Sequence, residues 1–576
     1  MPRTNDAVEA ALLEYADLLS ILSTDPYRPR SYEKAARAVG GYPEDLAGMD
    51  LKQILQIPNV GTSIGEKVLE LLQTGTMQAL EELRAQIPAG VRDMIAVPGL
   101  GPKKAMILYR DLGIADVDGL QAAVDAGRLA ELKGFGPKTE ENIRRGLERL
   151  QQQSGRTLSS VAMDLADDFL ERLRDLPQVA RMEFAGSLRR MVETVGDLDL
   201  LVASEDPVPV MDAFTSVGMV ERVLAKGETK SSVITRGGLQ VDLRVVPLEA
   251  WGAAMIYFTG SKAHNIRIRE MAVRKGLKLN EYGLFEAKSG TLVVANTEEE
   301  VYERLGLPWI PPTLREDRGE VEAALAGELP DVLVRTQIRG DLHTHTKLTD
   351  GLATLDQMLD RASALGYVYY AVTDHAPNLF MQRMTDEKML AQRKEVRALQ
   401  PRYPKLTILH GSELNIDPEG NVDWAPEFLE GFDICVASVH SHFGQSKDEM
   451  TRRVVRAMEN PFVHVIGHPT GRKINQRPPI DLDLEEVFKA AARTGTALEV
   501  NGYPDRLDLK DEHILWAKRH GVKFAVDTDS HATTHLDLMR YGVGQAQRGW
   551  LTRDDVINAW PLSRLRAFLR KGRKGR

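Results

Sequence analysis

The stretch that decides the fold of the C-terminal half is "GDLHTHTKLTDG" (340–351). His343 and His345 are one residue apart, so on an extended segment both side chains leave the same face, and Asp350 follows shortly after. A His-x-His pair alone is a weak metal signal, and the later runs strengthen it. From residue 339 onward "YVYYAVT", "KLTILHG", "DICVASVH", "VHVIGH", "TALEVN" and "KFAVDT" alternate with helical stretches. Apolar strands separated by helices imply parallel βαβ units, and about six or seven of them imply a barrel. These strands end in His375 ("AVTDH"), Glu413 ("LHGSEL"), His440 ("VASVHSH"), His468 ("VIGHPTGR"), and Asp529 with His531 ("AVDTDSH"). All strand C-termini of a parallel barrel open on one face, so these groups should meet His343, His345 and Asp350 there. Imidazole and carboxylate without thiolate suit Zn²⁺, Mn²⁺ or Fe²⁺, and the set is large enough for two or three ions. Such a cluster activates water for phosphoester hydrolysis.

Of the 13 histidines only His264 precedes residue 340, which makes the C-terminal part a module of its own. The 576-residue chain is too long for one core, and about three to five domains are expected. No apolar run approaches the roughly 18 residues of a membrane span. The acidic N-terminus does not read as a signal peptide. A single cysteine, Cys435, excludes internal disulfides and thiolate clusters and suits a reducing cytoplasm. With a net charge of −9, any nucleic-acid binding must come from local patches.

The first 150 residues read as helical. "IPNVGTSIGEKV" (57–68), "VPGLGPKKAMIL" (97–108) and "LKGFGPKTEENI" (132–143) share one plan: an apolar residue, a glycine turn, then a fresh helix. Gly61, Gly99, Gly101, Gly134 and Gly136 let another backbone approach, and the helix start offers free N–H groups to a phosphate. Lys103 and Lys138 add positive charge at two of the turns. Three copies point to sequence-independent binding of the DNA backbone, and they resemble helix–hairpin–helix motifs of DNA repair proteins.

From about residue 160 short β-rich runs appear, and "FAGSLRRMVETVGDLDLLVAS" (184–204) is the richest. Asp197 and Asp199 alternate along one strand face among apolar neighbours, where unpaired carboxylates would be costly. Asp242 comes from another strand, "LQVDLRVV". Three such carboxylates are the hard oxygen donors that a pair of Mg²⁺ or Mn²⁺ ions requires for in-line phosphoryl displacement.

"GSLRR…GDLDLL" together with "YFTGSKAHNIRIRE" (257–270) resembles the family X DNA polymerases, over residues 1–317. The resemblance implies that Asp197, Asp199 and Asp242 hold the metals, with Asp242 activating the primer 3′-hydroxyl. It implies that Ser187, Arg190 and Gly196 bind the triphosphate, that Tyr257, Phe258 and Gly260 shape the sugar pocket, and that Asn265 contacts the base edge. Gln240 and Lys262 depart from the family pattern, which bears on fidelity and nucleotide affinity. Lys67 aligns with the family's Schiff-base lysine and is the candidate for lyase chemistry. The histidine series resembles the PHP (polymerase and histidinol phosphatase) domain, with all nine metal positions filled: His343, His345, Asp350, His375, Glu413, His440, His468, Asp529 and His531. Arg472 is a candidate phosphate contact. The remaining six C-terminal histidines are expected on the surface or just behind the ligands.

The combination resembles the bacterial family X polymerases and implies a multidomain chain. A helical lyase-like domain (1–80) and a helix–hairpin–helix domain (81–155) precede an α+β nucleotidyltransferase palm (156–250) and a nucleotide-binding thumb (251–317). A linker (318–338) leads to an α/β distorted (βα)₇ PHP barrel (339–576). The implied function is gap filling in DNA repair with a metal-dependent 3′→5′ exonuclease, extending to abasic-site cleavage. Gapped or primer-template DNA and deoxynucleoside triphosphates are the implied partners of a cytoplasmic monomer. Two alternatives stand: a PHP domain that is only a metal-stabilised scaffold, and an end-processing phosphatase whose N-terminal half binds DNA.

Overall fold

The computed structural model describes residues 4–22, 27–40, 42, 44–87, 91, 94–95, 97, 100–132, 135–136, 139–144, 146–147, 156–379 and 384–571. The N-terminal residues are helical as expected, and one apolar cluster runs from Val8 to Leu147. The regions expected as two helical domains therefore share a core. Gly61 and Gly101 are exposed and sit immediately before helices Thr62–Thr74 and Pro102–Leu112. Exposed Gly136 likewise precedes the helical residues 139–144. Gly99, Gly134, Lys138 and the side chain of Lys103 lie outside the described residues.

The palm sheet contains β1 (Arg181–Phe184), β2 (Asp197–Ala203), β3 (Val220–Lys226), β4 (Lys230–Thr235) and β5 (Gln240–Val246), in the order β1-β2-β5-β4-β3. Only β2 and β5 pair in parallel, with Asp199 opposite Asp242. The period of two sorts the faces of β2. Leu198, Leu200 and Val202 enter the core under helices Ser159–Arg174 and Pro207–Thr215, so Asp197 and Asp199 take the other face. Further along that face Leu201 is covered by the thumb helix Trp251–Thr259. The carboxylates are thus left at the uncovered end of the strand.

A second helix, Lys262–Arg274, and a three-stranded antiparallel sheet complete the thumb. The stretch expected as a connecting helix and linker packs against the thumb. Its helix Glu320–Ala326 buries Val321 and Ala324 in the thumb core. Glu320 accepts from His264 Nδ1 (2.7 Å), whose Nε2 meets Tyr302 Oη at 2.9 Å. The lone N-terminal histidine is therefore structural.

Palm and thumb are locked by Glu298, which takes both Arg189 Nη1 and Nη2 at 2.8 Å and Arg315 Nη1 at 2.7 Å. Burial would raise the Glu298 pKa, but Arg315 and Arg189 outweigh it and hold it at about 2. A carboxyl depressed from 4.5 stabilises the fold above that pH and loses the effect as pH falls toward 2. Glu298→Gln is therefore expected to cost about 3 kcal/mol at pH 7, with a smaller deficit below pH 4.5. Denaturant unfolding followed by Trp309, whose Nε1 donates to Glu298 at 3.2 Å, checks this. An unchanged midpoint at pH 7 would discount the lock.

In the C-terminal domain β6 (Tyr369–Val372), β7 (Thr407–Asn415), β8 (Ile434–Ser438), β9 (Val465–Ile466), β10 (Ala497–Asn501) and β11 (Phe524–Asp527) form one parallel sheet in chain order. Residues 341–345 are the seventh stave. They bond to the β6 side through Ala371 N→Asp341 O (2.9 Å) and Thr373 N→Thr344 O (2.9 Å). On the β11 side His345 N donates to Ser530 O at 2.8 Å. The stave thereby joins the two sheet edges, as the expected distorted (βα)₇ barrel requires. Helices pack a large apolar core around it, and strand residues of the opposite parity fill the interior with Trp560 and Leu565.

Candidate active sites in the palm and the barrel mouth

In the palm, Gly186 opens a single helical turn, Gly186–Arg189, directly after β1. Its φ is +59°, and an added Cβ would lie 2.3 Å from Asp199 Oδ2. Only glycine permits both the backbone and the approach. Ser187 follows, so the turn and the carboxylates share one corner. The Asp199 carboxyl is pushed up to about 6 by burial first, then by Asp197 and Asp242. Burial also raises Asp242, but Lys230 Nζ at 2.6 Å and Gln240 Nε2 at 2.9 Å bring it below its ordinary value. Gln240, a departure from the family pattern, is thus a hydrogen-bond donor to the third carboxylate. A lysine ammonium supplies part of the positive charge the cluster attracts, and the oxygen donors fit hard divalent cations.

Arg190 is close by but engaged: Nε donates to Glu316 Oε1 (2.9 Å) and Nη1 to Thr259 O (2.6 Å), beside Gly260. Gly196 precedes β2, with Arg156 Nη1 as its neighbour. Tyr257 is exposed, Phe258 lies under Arg244 at 4.6 Å, and Asn265 Nδ2 donates to Tyr257 O at 2.7 Å. Lys67 stands apart on helix Thr62–Thr74, donating to Ser63 O (3.1 Å) and Ser63 Oγ (3.2 Å).

At the barrel mouth the structure gathers all nine expected residues. Three groups have donor atoms mutually within 4.8 Å: His345 with Asp350, His375 and His531; His343 with His345 and Asp529; His375 with Glu413 and His440. His468 joins through Nε2, 3.1 Å from Glu413 Oε1. His343 Nε2, both nitrogens of His345, His375 Nδ1 and Glu413 Oε2 are buried and make no hydrogen bond. Buried polar atoms left this way are costly unless something else satisfies them. Converging lone pairs from imidazole and carboxylate fit divalent cations, in number matching two or three ions.

Other residues aim these ligands. His343 Nδ1 meets Glu499 Oε1 at 2.7 Å, His440 Nδ1 meets Asn415 Oδ1 at 2.7 Å, and His531 Nδ1 meets Asp529 O at 2.7 Å. Each acceptor holds the ring proton on Nδ1 and turns the Nε2 lone pair into the site. Asp374 accepts from Thr346 N and Oγ1 and from Thr349 Oγ1, fixing the loop that carries Asp350. Glu499 carries a sequence signal of its own: a carboxylate inside the apolar run "TALEVN", the same sign that marks Asp199.

Two expectations are corrected. Arg472 does not face the cluster; Nη2 donates to Glu193 Oε2 of the palm (2.7 Å) and to Leu507 O (2.5 Å). Arg506 stands there instead, with Nε 3.8 Å from Asp529 Oδ2 and a buried Nη1 that makes no hydrogen bond. Among the remaining histidines, His410 and His464 are neither surface groups nor supports of the ligands. His410 is stacked on Phe432, and burial, then Arg393 and Arg397, lower its pKa to about 3. His464 accepts from Cys435 N and meets Leu569 O at 2.9 Å, tying the C-terminal helix to the barrel.

Family models match for the helix-hairpin-helix domain (3–77), the SAM-like helix-hairpin-helix tandem (91–149), the DNA polymerase beta thumb (254–316) and the PHP domain (341–502). The chain is 34% identical over 556 residues to DNA polymerase/3′-5′ exonuclease PolX of Bacillus subtilis (strain 168), covering 96% of this chain and 97% of that protein. DNA polymerase lambda of Rattus norvegicus is 25% identical over 337 residues, 51% of this chain and 53% of its own. A probable phosphatase of Thermoanaerobacter sp. (strain X514) is 28% identical over 246 residues, 41% of this chain and 95% of its own length. The chain therefore belongs to the PolX family, the bacterial family X DNA polymerases that carry a C-terminal PHP domain.

Proposed function

We infer that this protein is a DNA-directed DNA polymerase that fills short gaps during repair and removes nucleotides from 3′ ends at its PHP site. The observation that carries the reading is the presence, on one chain, of two chemically different clusters: three carboxylates beside a glycine turn, and nine imidazole and carboxylate ligands in a barrel mouth. When bound, divalent cations (Mg²⁺ or Mn²⁺ at the palm; Zn²⁺, Mn²⁺ or Fe²⁺ at the barrel) lower the pKa of an attacking oxygen and neutralise the charge of the displaced one.

At the palm Asp197, Asp199 and Asp242 hold two such ions, and Asp242 receives the primer hydroxyl proton. The 186–190 turn with Ser187, and Gly196, meets the triphosphate, while Arg190 keeps that turn against the thumb. Tyr257, Phe258 and Gly260 border the sugar, and Asn265 faces the base. The exposed glycine turns at Gly61, Gly101 and Gly136 track the DNA backbone. At the barrel the nine ligands would hold two or three ions, and the buried guanidinium of Arg506 adds positive charge beside Asp529. The chain acts as a cytoplasmic monomer on gapped or primer-template DNA, with abasic-site cleavage as a further reaction of the PHP cluster. Lys67 is the residue that would form a Schiff base with a deoxyribose phosphate.

The test is a 5′-labelled primer on gapped DNA with Mg²⁺ or Mn²⁺, ending in a 3′-hydroxyl or a 3′-phosphate. Extension with nucleotides and stepwise shortening without them are expected on the hydroxyl end. Loss of phosphate alone, with neither extension nor shortening, would favour the end-processing phosphatase. Extension without shortening in every metal would leave the barrel as a scaffold.

A further inference from the structure

The barrel meets the polymerase half at several places, among them Arg540 with Asp164 of the palm (3.2 Å) and Trp550 against the thumb core, and one of these contacts is the palm turn that carries Arg190. Arg548, at the end of the barrel helix Met539–Arg548, is only 5% exposed. Its Nη1 donates to the backbone oxygen of Arg190 (2.8 Å) and to Glu316 Oε1 (2.8 Å). The same carboxylate oxygen accepts from Arg190 Nε, so one barrel residue grips both the main chain of Arg190 and the group that orients its side chain. Burial would raise the Glu316 pKa, but Arg548 and Arg190 bring it below its ordinary value, so it stays charged between them.

Arg548 is itself held from behind. Its Nη2 lies 2.7 Å from Asp511 Oδ2, which also pairs with Arg318 at 3.0 Å. The result is an alternating row, Arg190–Glu316–Arg548–Asp511–Arg318, running from the palm and thumb into the barrel and back to the connector beside the thumb. The next residues of the turn are docked as well. Gln545 Nε2 donates to Met191 O (3.2 Å), and Met191 packs where Gly544 lacks a Cβ. Arg472 reaches Glu193. From Arg190 the contact passes on to Thr259 O and Gly260 at the start of the thumb, and through Gly186 to Asp199.

We propose that Arg548 of the barrel is a positioning residue for nucleotide addition, setting the turn of Arg190 between the palm carboxylates and the thumb. The proposal rests on the polymerase reading above. Interfaces that only glue domains together have no reason to bond the residue that spans palm and thumb. A fork that fixes both the carbonyl and the carboxylate partner of Arg190 removes freedom from the pocket before the nucleotide arrives.

The test is steady-state insertion of one nucleotide into a one-nucleotide gap by the full-length protein, with single-strand degradation measured on the same preparations. Arg548→Gln is expected to raise KM for the nucleotide about 10-fold, with kcat within about threefold and degradation within about twofold. Arg548→Lys, which keeps the charge but not the fork, should fall between. Glu316→Gln should mimic Arg548→Gln, and the double variant should be no worse than either alone. The double variant also leaves no lone charge at Glu316, and so serves if the single variant folds poorly. An unchanged KM overturns the proposal, as does a parallel fall of insertion, degradation and thermal midpoint. A wild type that never extends the primer would instead overturn the polymerase reading.

Discussion

Asp199→Asn should reduce nucleotide addition by about 10³-fold or more in kcat while leaving 3′-end degradation within about twofold, and it should make the metal-free protein more stable. The two halves of this expectation come from one observation. Asp199 is packed against Gly186 and faces Asp197 and Asp242, and its carboxyl is pushed up to about 6. A group with a raised folded pKa favours the fold at low pH and opposes it as pH rises through that value. With an ordinary value of 3.8, the shift implies a penalty of order 1 to 3 kcal/mol at pH 7 without cations. Asparagine has the same shape and no charge, so it lifts the penalty while removing an anionic donor from the site. In EDTA the variant's thermal midpoint should exceed that of wild type, and the gap should open as pH rises from about 4 through 6. Primer extension that survives the substitution would remove the palm cluster from the mechanism. Lost extension with a lowered midpoint would instead mean structural damage.

The same contrast explains what the sequence disclosed. The barrel ligands were legible because each closes an apolar run, and a parallel barrel sends all such ends to one mouth. Asp197 and Asp199 were legible because a period of two put carboxylates beside residues that must be buried. Arg472 follows His468 so closely that its sequence position suggests the metal mouth; Gly471, at φ +58°, redirects the chain and the arginine pairs with Glu193 of the palm. Arg506 lies in a loop with no periodicity, and its place beside Asp529 is a product of the tertiary fold. Domain docking was hidden for the same reason. Nothing in "GVGQAQRGW" distinguishes Arg548 from an exposed helical arginine until Glu316 and Asp511 are brought to it from other parts of the chain. The 318–338 stretch reads as a connecting helix and linker after the prolines of 305–317, and the periodicity of Val321 and Ala324 is what buries it in the thumb core.

Glu413→Gln should have the opposite effect to Asp199→Asn: degradation lost by about 10³-fold or more, bound metal reduced, and gap filling retained within about threefold. Glu413 is fully buried at the centre of the barrel mouth. Its Oε2 lies 2.9 Å from His375 Nδ1, 3.5 Å from His343 Nε2 and 3.6 Å from His345 Nε2. Its Oε1 lies 3.0 Å from His440 Nε2 and 3.1 Å from His468 Nε2. Both oxygens thus serve the cluster, one on each side, and neither orientation of a glutamine amide can do so. Its NH₂ would always turn two donors toward one set of rings, whose nitrogens then face hydrogens and not an anion. Removing the charge also leaves the cations with less compensation in a buried site, so metal content measured on the purified protein should fall along with the nuclease. The palm carboxylates lie in another domain with a separate core, which is why extension should persist. If Glu413→Gln shortens primers as fast as wild type, the barrel mouth is not the nuclease. If extension falls with degradation, the row through Arg548 transmits damage in the barrel to the nucleotide pocket, and the two sites act as one.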